Sequence, residues 1–187
     1  MKNTVTALLL INSMALAGDY YGGVDFDFGK GNTEFKNLGT TQDSDFTQTS
    51  FGIHGGYYLN LNSKVELSFK SFNFDFDNNS DSDTDGNQFG IDYIYTFDGN
   101  LKLKPYIGVG ISANSLDIKL ANKDTIDGVG FKLRGGTYYT VTPQLDIGIE
   151  LNYTNISWED LKDPRDDSTL ESSSNFYGFG LNLNYKF

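Results

Sequence analysis

Phe179-Gly-Leu-Asn-Leu-Asn-Tyr-Lys-Phe187 closes the sequence, with an apolar side chain at every odd position. Side chains of a strand alternate between its two faces. Phe179, Leu181, Leu183, Tyr185 and Phe187 therefore share one face, and Gly180, Asn182, Asn184 and Lys186 the other. Seven further stretches upstream repeat the pattern, which predicts an all-β chain.

The first is Tyr20–Gly29, with Val24, Phe26 and Phe28 opposite Asp25 and Asp27. In the second, Phe46–Leu59, Phe51, Ile53, Tyr57 and Leu59 oppose Ser50, His54 and Tyr58. The third, Lys64–Phe76, sets Val65, Leu67 and Phe69 against Glu66 and Lys70. The fourth, Asn87–Phe97, sets Phe89, Ile91, Tyr93, Tyr95 and Phe97 against Gly90, Asp92, Ile94 and Thr96. Asp98-Gly99 is a hairpin signal. It leads into the fifth, Leu101–Asn114, where Ile107, Val109, Ile111 and Ala113 oppose Lys102, Lys104 and Tyr106. The sixth and seventh are Val129–Val141 and Leu145–Ile156, with Lys132, Arg134, Asp146, Glu150 and Asn152 on the polar face. The eighth, Ser174–Phe187, contains the closing stretch.

Eight strands suffice for the smallest closed barrel that spans a membrane, and closure is obligatory because an open edge in lipid leaves backbone groups unpaired. The expected fold is an eight-stranded antiparallel up-and-down transmembrane β-barrel, apolar faces outward. Short connections follow strands two, four and six, and long ones cover Gly29–Asp45, Asp77–Gly86, Ser115–Gly128 and Ser157–Ser173. That asymmetry predicts periplasmic turns and termini, with long loops extracellular. Lys2, the mostly apolar Val5–Ile11 and Ala15-Leu16-Ala17 predict a signal peptide over 1–17, leaving one barrel domain over 18–187.

Composition fits that expectation. A hydrophobic fraction of 38% ordinarily suggests a soluble domain, but alternating lipid-facing and lumen-facing residues average out. Aromatics reach 15%, enough for girdles at both lipid interfaces. The chain has no cysteine, so disulfide and thiolate-metal chemistry are excluded. The four long loops with their strand edges hold 17 acids and 6 bases, while the rest of residues 18–187 is nearly balanced. Acidic loops argue against nucleic acid, which requires bases, and suit a solvated face, divalent cations or basic partners.

One register resists. If Phe69 faces lipid, Phe72, Phe74 and Phe76 point inward. A bulge near Lys70-Ser71 would return them to the outer face and is the favoured reading; an aromatic cap inside the barrel mouth is the other.

Asp81-Ser-Asp83-Thr-Asp85-Gly86, with Asp92 in the twelfth position, resembles an EF-hand calcium loop. It lacks the final Glu, and strands flank it, so a flexible acidic hairpin end is the plainer reading and no metal site is assigned. His54, the only histidine, faces the lumen with no serine-centred motif nearby, which suits a packed interior residue better than catalysis. Asp25, Asp27, Glu66, Asp92, Asp146 and Glu150 share the inner face with Lys70, Lys102, Lys104, Lys132, Arg134 and Lys186. In so narrow a barrel these charges must pair. Glu66, Lys70, Asp92, Lys132, Arg134 and Glu150 form the candidate lumen network, with Lys132 or Arg134 expected to meet Glu150.

The closing Tyr185-Lys-Phe187, Pro105-Tyr-Ile-Gly-Val-Gly110 and Gly135-Gly-Thr-Tyr-Tyr-Thr-Val-Thr-Pro-Gln-Leu145 are similar to the strands and turns of the small bacterial outer-membrane β-barrel family. Its relatives include the transmembrane domain of outer-membrane protein A and outer-membrane protein X. The resemblance covers Tyr20 to Phe187. It implies an outer-membrane location among lipid and lipopolysaccharide, an assembly signal at Tyr185 and Phe187 read by the barrel assembly machinery, no cofactor, and a non-enzymatic envelope role. A narrow porin-like channel gated by lumen ion pairs is the second reading, and a surface adhesin or cation-binding protein the third. Fold alone does not decide among them.

Overall fold

A computed structural model describes residues 20–37, 40–76, 84–97, 102–120, 123–162 and 169–187. The strands are β1 (Tyr20–Asn37), β2 (Thr40–Tyr58), β3 (Ser63–Phe76), β4 (Thr84–Thr96), β5 (Leu103–Leu120), β6 (Lys123–Thr140), β7 (Leu145–Trp158), β8 (Leu161–Lys162) and β9 (Thr169–Lys186). The long strands pair antiparallel in sequence order, β7 joins β9, and β9 returns to β1. Eight strands thus close an up-and-down barrel. The two-residue β8 forms its own short ladder with the start of β9. Residues 1–17, Asp98-Gly99, Asp81 and Asp83 lie outside the described residues.

On the lipid side the alternation holds throughout. On β9 the outward face is apolar from Phe187 to Tyr177, and Asn175 follows. That stretch covers about 33 Å of strand at ~3.3 Å per residue. At a ~40° tilt it stands about 25 Å tall, the height of a barrel's lipid-facing band. Ring pairs mark its lower edge: Tyr20–Tyr57 at 5.0 Å, Tyr95–Phe97 at 5.2 Å and Tyr185–Phe187 at 5.5 Å. Tyr153–Tyr177 at 5.0 Å marks the upper one. The short turns close with local bonds: Asn60 Oδ1 accepts from the backbone of Asn62 and Ser63, each at 2.9 Å.

The strands outrun their expected ends. β1 and β2 extend to Asn37 and Thr40, and β5 and β6 to Leu120 and Lys123, through sequence that reads as loop. The reason is an inversion of the pattern. Above the band the outward positions turn polar (Lys30, Ser71, Asn87, Ser115, Asp127, Asn155), while the inward ones turn apolar. Phe46, Phe72, Phe74, Leu116, Ile126, Ile156, Trp158 and Phe176 form one buried cluster inside the barrel, with Phe76 and Ile118 against it. The period of two persists, but the apolar residues change parity where the strand leaves lipid for water.

This overturns the favoured bulge in strand three. β3 stays in unbroken register with β2 from Lys64 to Phe76 and with β4 from Ser63 to Phe74. Phe72 and Phe74 point inward as part of a cap. Burying them in an aromatic cluster removes the penalty that the bulge would have relieved.

The border between band and collar is testable by charge. Leu181→Arg should cost about 2–4 kcal/mol and Asn175→Arg about 0–1 kcal/mol, following the depth dependence of cations on a barrel's lipid face. Urea unfolding in lipid vesicles measures both, and equal penalties would displace the border drawn here.

Candidate functional site

Inward positions of the spanning segments build a polar plug between two apolar steps. Arg134 on β6 stands at its centre. Its Nη1 donates to Glu66 Oε1 on β3 at 2.5 Å and its Nε to Glu150 Oε2 on β7 at 2.7 Å. Asp92 Oδ2 on β4 lies 3.6 Å from Nη1. Tyrosines on other strands complete the shell: Tyr21 donates to Glu66 at 2.8 Å and Tyr106 to Glu150 at 2.6 Å. Charge-assisted bonds of this kind are the strong ones, and a guanidinium fork suits two carboxylates at once.

Nearer the long hairpins, Lys70 Nζ donates to Asp27 Oδ2 at 2.6 Å and lies 3.8 Å from Asp25. Ser50 and Asn152 donate to the same Asp27 carboxylate at 3.0 and 3.3 Å. Lys132 pairs with Asp92 at 2.9 Å. Of the two bases expected at Glu150, Arg134 reaches it and Lys132 goes to Asp92. Glycine makes room for large inward groups: a Cβ on Gly136 would meet the Tyr106 ring at 2.9 Å.

Toward the turns, Lys64 is buried, donates to Tyr138 at 3.1 Å and sits 4.1 Å over the Tyr21 ring. Tyr106 and Tyr138 stack at 4.3 Å and pack with Ile94. Lys186 meets Asp146 at 2.5 Å at the mouth. Lys102 is exposed and precedes β5, and Lys104 is half-buried at the same end.

His54 on β2 faces the lumen, as its parity requires. Nδ1 lies 2.9 Å from Asp25 Oδ2 and Nε2 2.7 Å from Asn184 Oδ1. Both ring nitrogens are therefore occupied, leaving neither for a serine hydroxyl. Of the calcium-like run, Asp85 accepts from Asn73 at 3.1 Å, while Asp92 faces Lys132 in the lumen and is turned away from the loop. Tyr185 and Phe187 face outward at the lower girdle, and the Phe187 N–H donates to the Tyr20 carbonyl at 3.1 Å.

The plug also recruits residues outside the candidate network. Lys64 shares parity with Glu66, so the period alone could have placed it inside. Tyr106 and Tyr138 stand inside as their parity predicts, whereas Tyr21 looks like a girdle aromatic by composition and only its inward parity marks it otherwise. Between plug and cap, Gln88 donates to Asn114 at 2.8 Å. Within the cap, Trp158 donates to Ser174 at 2.8 Å.

The family model "Outer membrane protein beta-barrel domain" matches residues 4–187. No curated protein matches the chain. Among solved structures, neisserial surface protein A is 19% identical, with a TM-score of 0.58, 90% of this chain and 97% of that one covered. OprG from Pseudomonas aeruginosa is 16% identical, with a TM-score of 0.60 and coverage of 91% and 96%. AlkL, solved in lipid bilayers, is 19% identical, with a TM-score of 0.53 and 91% of each chain covered. At these identities the likeness is one of fold.

Proposed function

The chain belongs to the outer membrane protein β-barrel domain family, and from that premise we propose that it is a sealed, non-enzymatic barrel serving the outer-membrane envelope. Its short turns and termini face the periplasm, and the long acidic hairpins stand outside on a rigid collar. The observation that carries this reading is the double closure of the lumen. An ion network spans the barrel, and the cluster around Phe46 and Phe74 lies above it. Catalysis finds no support in the one histidine, whose ring is fully engaged inside the plug.

In this reading the partners are outer-membrane lipid and lipopolysaccharide around the band, and the barrel assembly machinery through Tyr185 and Phe187. Divalent cations at the acidic loops follow from charge alone, and nucleic acid is disfavoured by the same charge.

A narrow channel is the second reading, and one observation favours it. Ser68 Oγ and Asp92 Oδ1 are buried with no hydrogen bond, and Lys132 Nζ meets Asp92 Oδ2 as an ion pair at 2.9 Å but not in good hydrogen-bond geometry. Buried polar groups left so ordinarily hold water.

Single-channel recording from the refolded chain in a planar bilayer separates the two, with Lys132→Ala and Glu150→Ala alongside. The sealed barrel should give a silent membrane in the wild type, with folding checked by the mobility shift of unheated protein. Discrete steps whose size changes in the variants would replace the sealed reading with the channel.

A further inference from the structure

His54 faces two hydrogen-bond acceptors at once. Asp25 Oδ2 lies 2.9 Å from Nδ1 and Asn184 Oδ1 lies 2.7 Å from Nε2. A second contact fixes the Asn184 amide, since its Nδ2 donates to Asn182 Oδ1 at 3.0 Å and leaves its own oxygen toward the ring. Asp25 is an acceptor beside Lys70 at 3.8 Å. A neutral imidazole has one N–H and can satisfy only one of these oxygens; an imidazolium has two.

The charges around the ring call for the same state. From β1 it meets Asp25 and the Tyr21 ring, from β3 Glu66 at 4.0 Å with Lys64 beyond, and from β9 Asn184. Among the described residues the plug holds five buried carboxylates, Asp25, Asp27, Glu66, Asp92 and Glu150, against four basic side chains, Lys64, Lys70, Lys132 and Arg134. Asp146 and Lys186 balance each other at the mouth.

We infer that His54 carries a proton on both ring nitrogens, that this proton neutralises the plug, and that the seal of the barrel depends on it. Losing the proton leaves one buried acceptor without a donor and the plug with an uncompensated negative charge, both costly where water is scarce. The plug then relaxes by admitting water and cations, so alkaline conditions open what neutral conditions close. The gating half rests on the sealed-barrel reading; the protonation half does not.

Because the chain has a single histidine, its imidazole signals in nitrogen-15 NMR need no assignment. Full-length protein refolded in lipid bilayers should show two ring N–H protons, each coupled to its own nitrogen, at pH 7. A ring with one N–H at that pH overturns the inference as a whole. Vesicles carrying the same protein should begin to pass cations as the second N–H is lost on raising the pH. His54→Gln, which keeps hydrogen-bonding capacity without charge, should leak severalfold faster than wild type at pH 7. Flux that stays flat through loss of the proton and in His54→Gln overturns the gate and leaves the sealed barrel standing.

Discussion

Arg134→Ala should destabilise the barrel by about 3–5 kcal/mol, the usual cost of removing one partner from a buried ion pair. The guanidinium serves three carboxylates, touching Glu66 at 2.5 Å and Glu150 at 2.7 Å and approaching Asp92 at 3.6 Å. After truncation Glu66 retains the Tyr21 hydroxyl, Lys64 at 3.9 Å and His54 at 4.0 Å, whereas Glu150 retains only the uncharged donors Tyr106 and Asn152 among its described partners. Hydroxyls satisfy lone pairs but supply no charge. Lys132→Met makes the control. It removes one partner from Asp92, which keeps Arg134 nearby, so its loss should be smaller, about 1–3 kcal/mol. The chain's single tryptophan, Trp158, is buried in the cap and reports unfolding in urea directly. A wild-type midpoint for Arg134→Ala would mean that lumen water, rather than the arginine, compensates the two glutamates.

The fold was legible because lipid imposes one rule on every spanning strand. Phe179 to Phe187 and its seven counterparts carry apolar residues on alternate positions, and backbone closure leaves a barrel as the solution. What misled was the upper third of the strands. Phe72 and Phe74 break the parity of Val65, Leu67 and Phe69, and a local bulge would mend it. Six strands make the same shift: Phe51 against Phe46, Phe69 against Phe72, Ile111 against Leu116, Phe131 against Ile126, Leu151 against Ile156, and Phe179 against Phe176. A bulge is a local event, whereas a shift repeated at one height around a barrel marks a change of solvent. Comparing the strands with one another would have found it.

The plug was half legible. Parity names the inward charges but not their partners, because pairing across a lumen depends on the vertical stagger of the strands. Lys132 and Arg134 are two residues apart on one face, yet one reaches Asp92 on β4 and the other Glu66 and Glu150. Nothing in the spacing of β6 distinguishes them. His54 shows the same limit: its parity puts it inside, but Asp25 and Asn184 come from the two ends of the chain and meet only on closure.

Phe74→Ala should cost about 3–5 kcal/mol, as for truncating a phenylalanine in a packed core. Phe74 is 1% exposed, stacks on Phe46 at 4.2 Å, and meets Phe72 at 4.9 Å and Phe176 at 6.1 Å. Its removal opens a hole in an interior that lipid cannot enter. Phe69→Ala, on the lipid side of the same strand, should cost clearly less, because acyl chains close over the vacated space. The two substitutions remove the same atoms from one strand, so their difference isolates where each ring points. Had a bulge turned Phe74 outward, both would behave as lipid-facing truncations with similar small losses. A large gap in urea midpoint between them means that the collar has its own apolar core. Such a core holds the long hairpins above the membrane by the same force that folds a soluble barrel, and the acidic loops then stand on a support that does not depend on lipid.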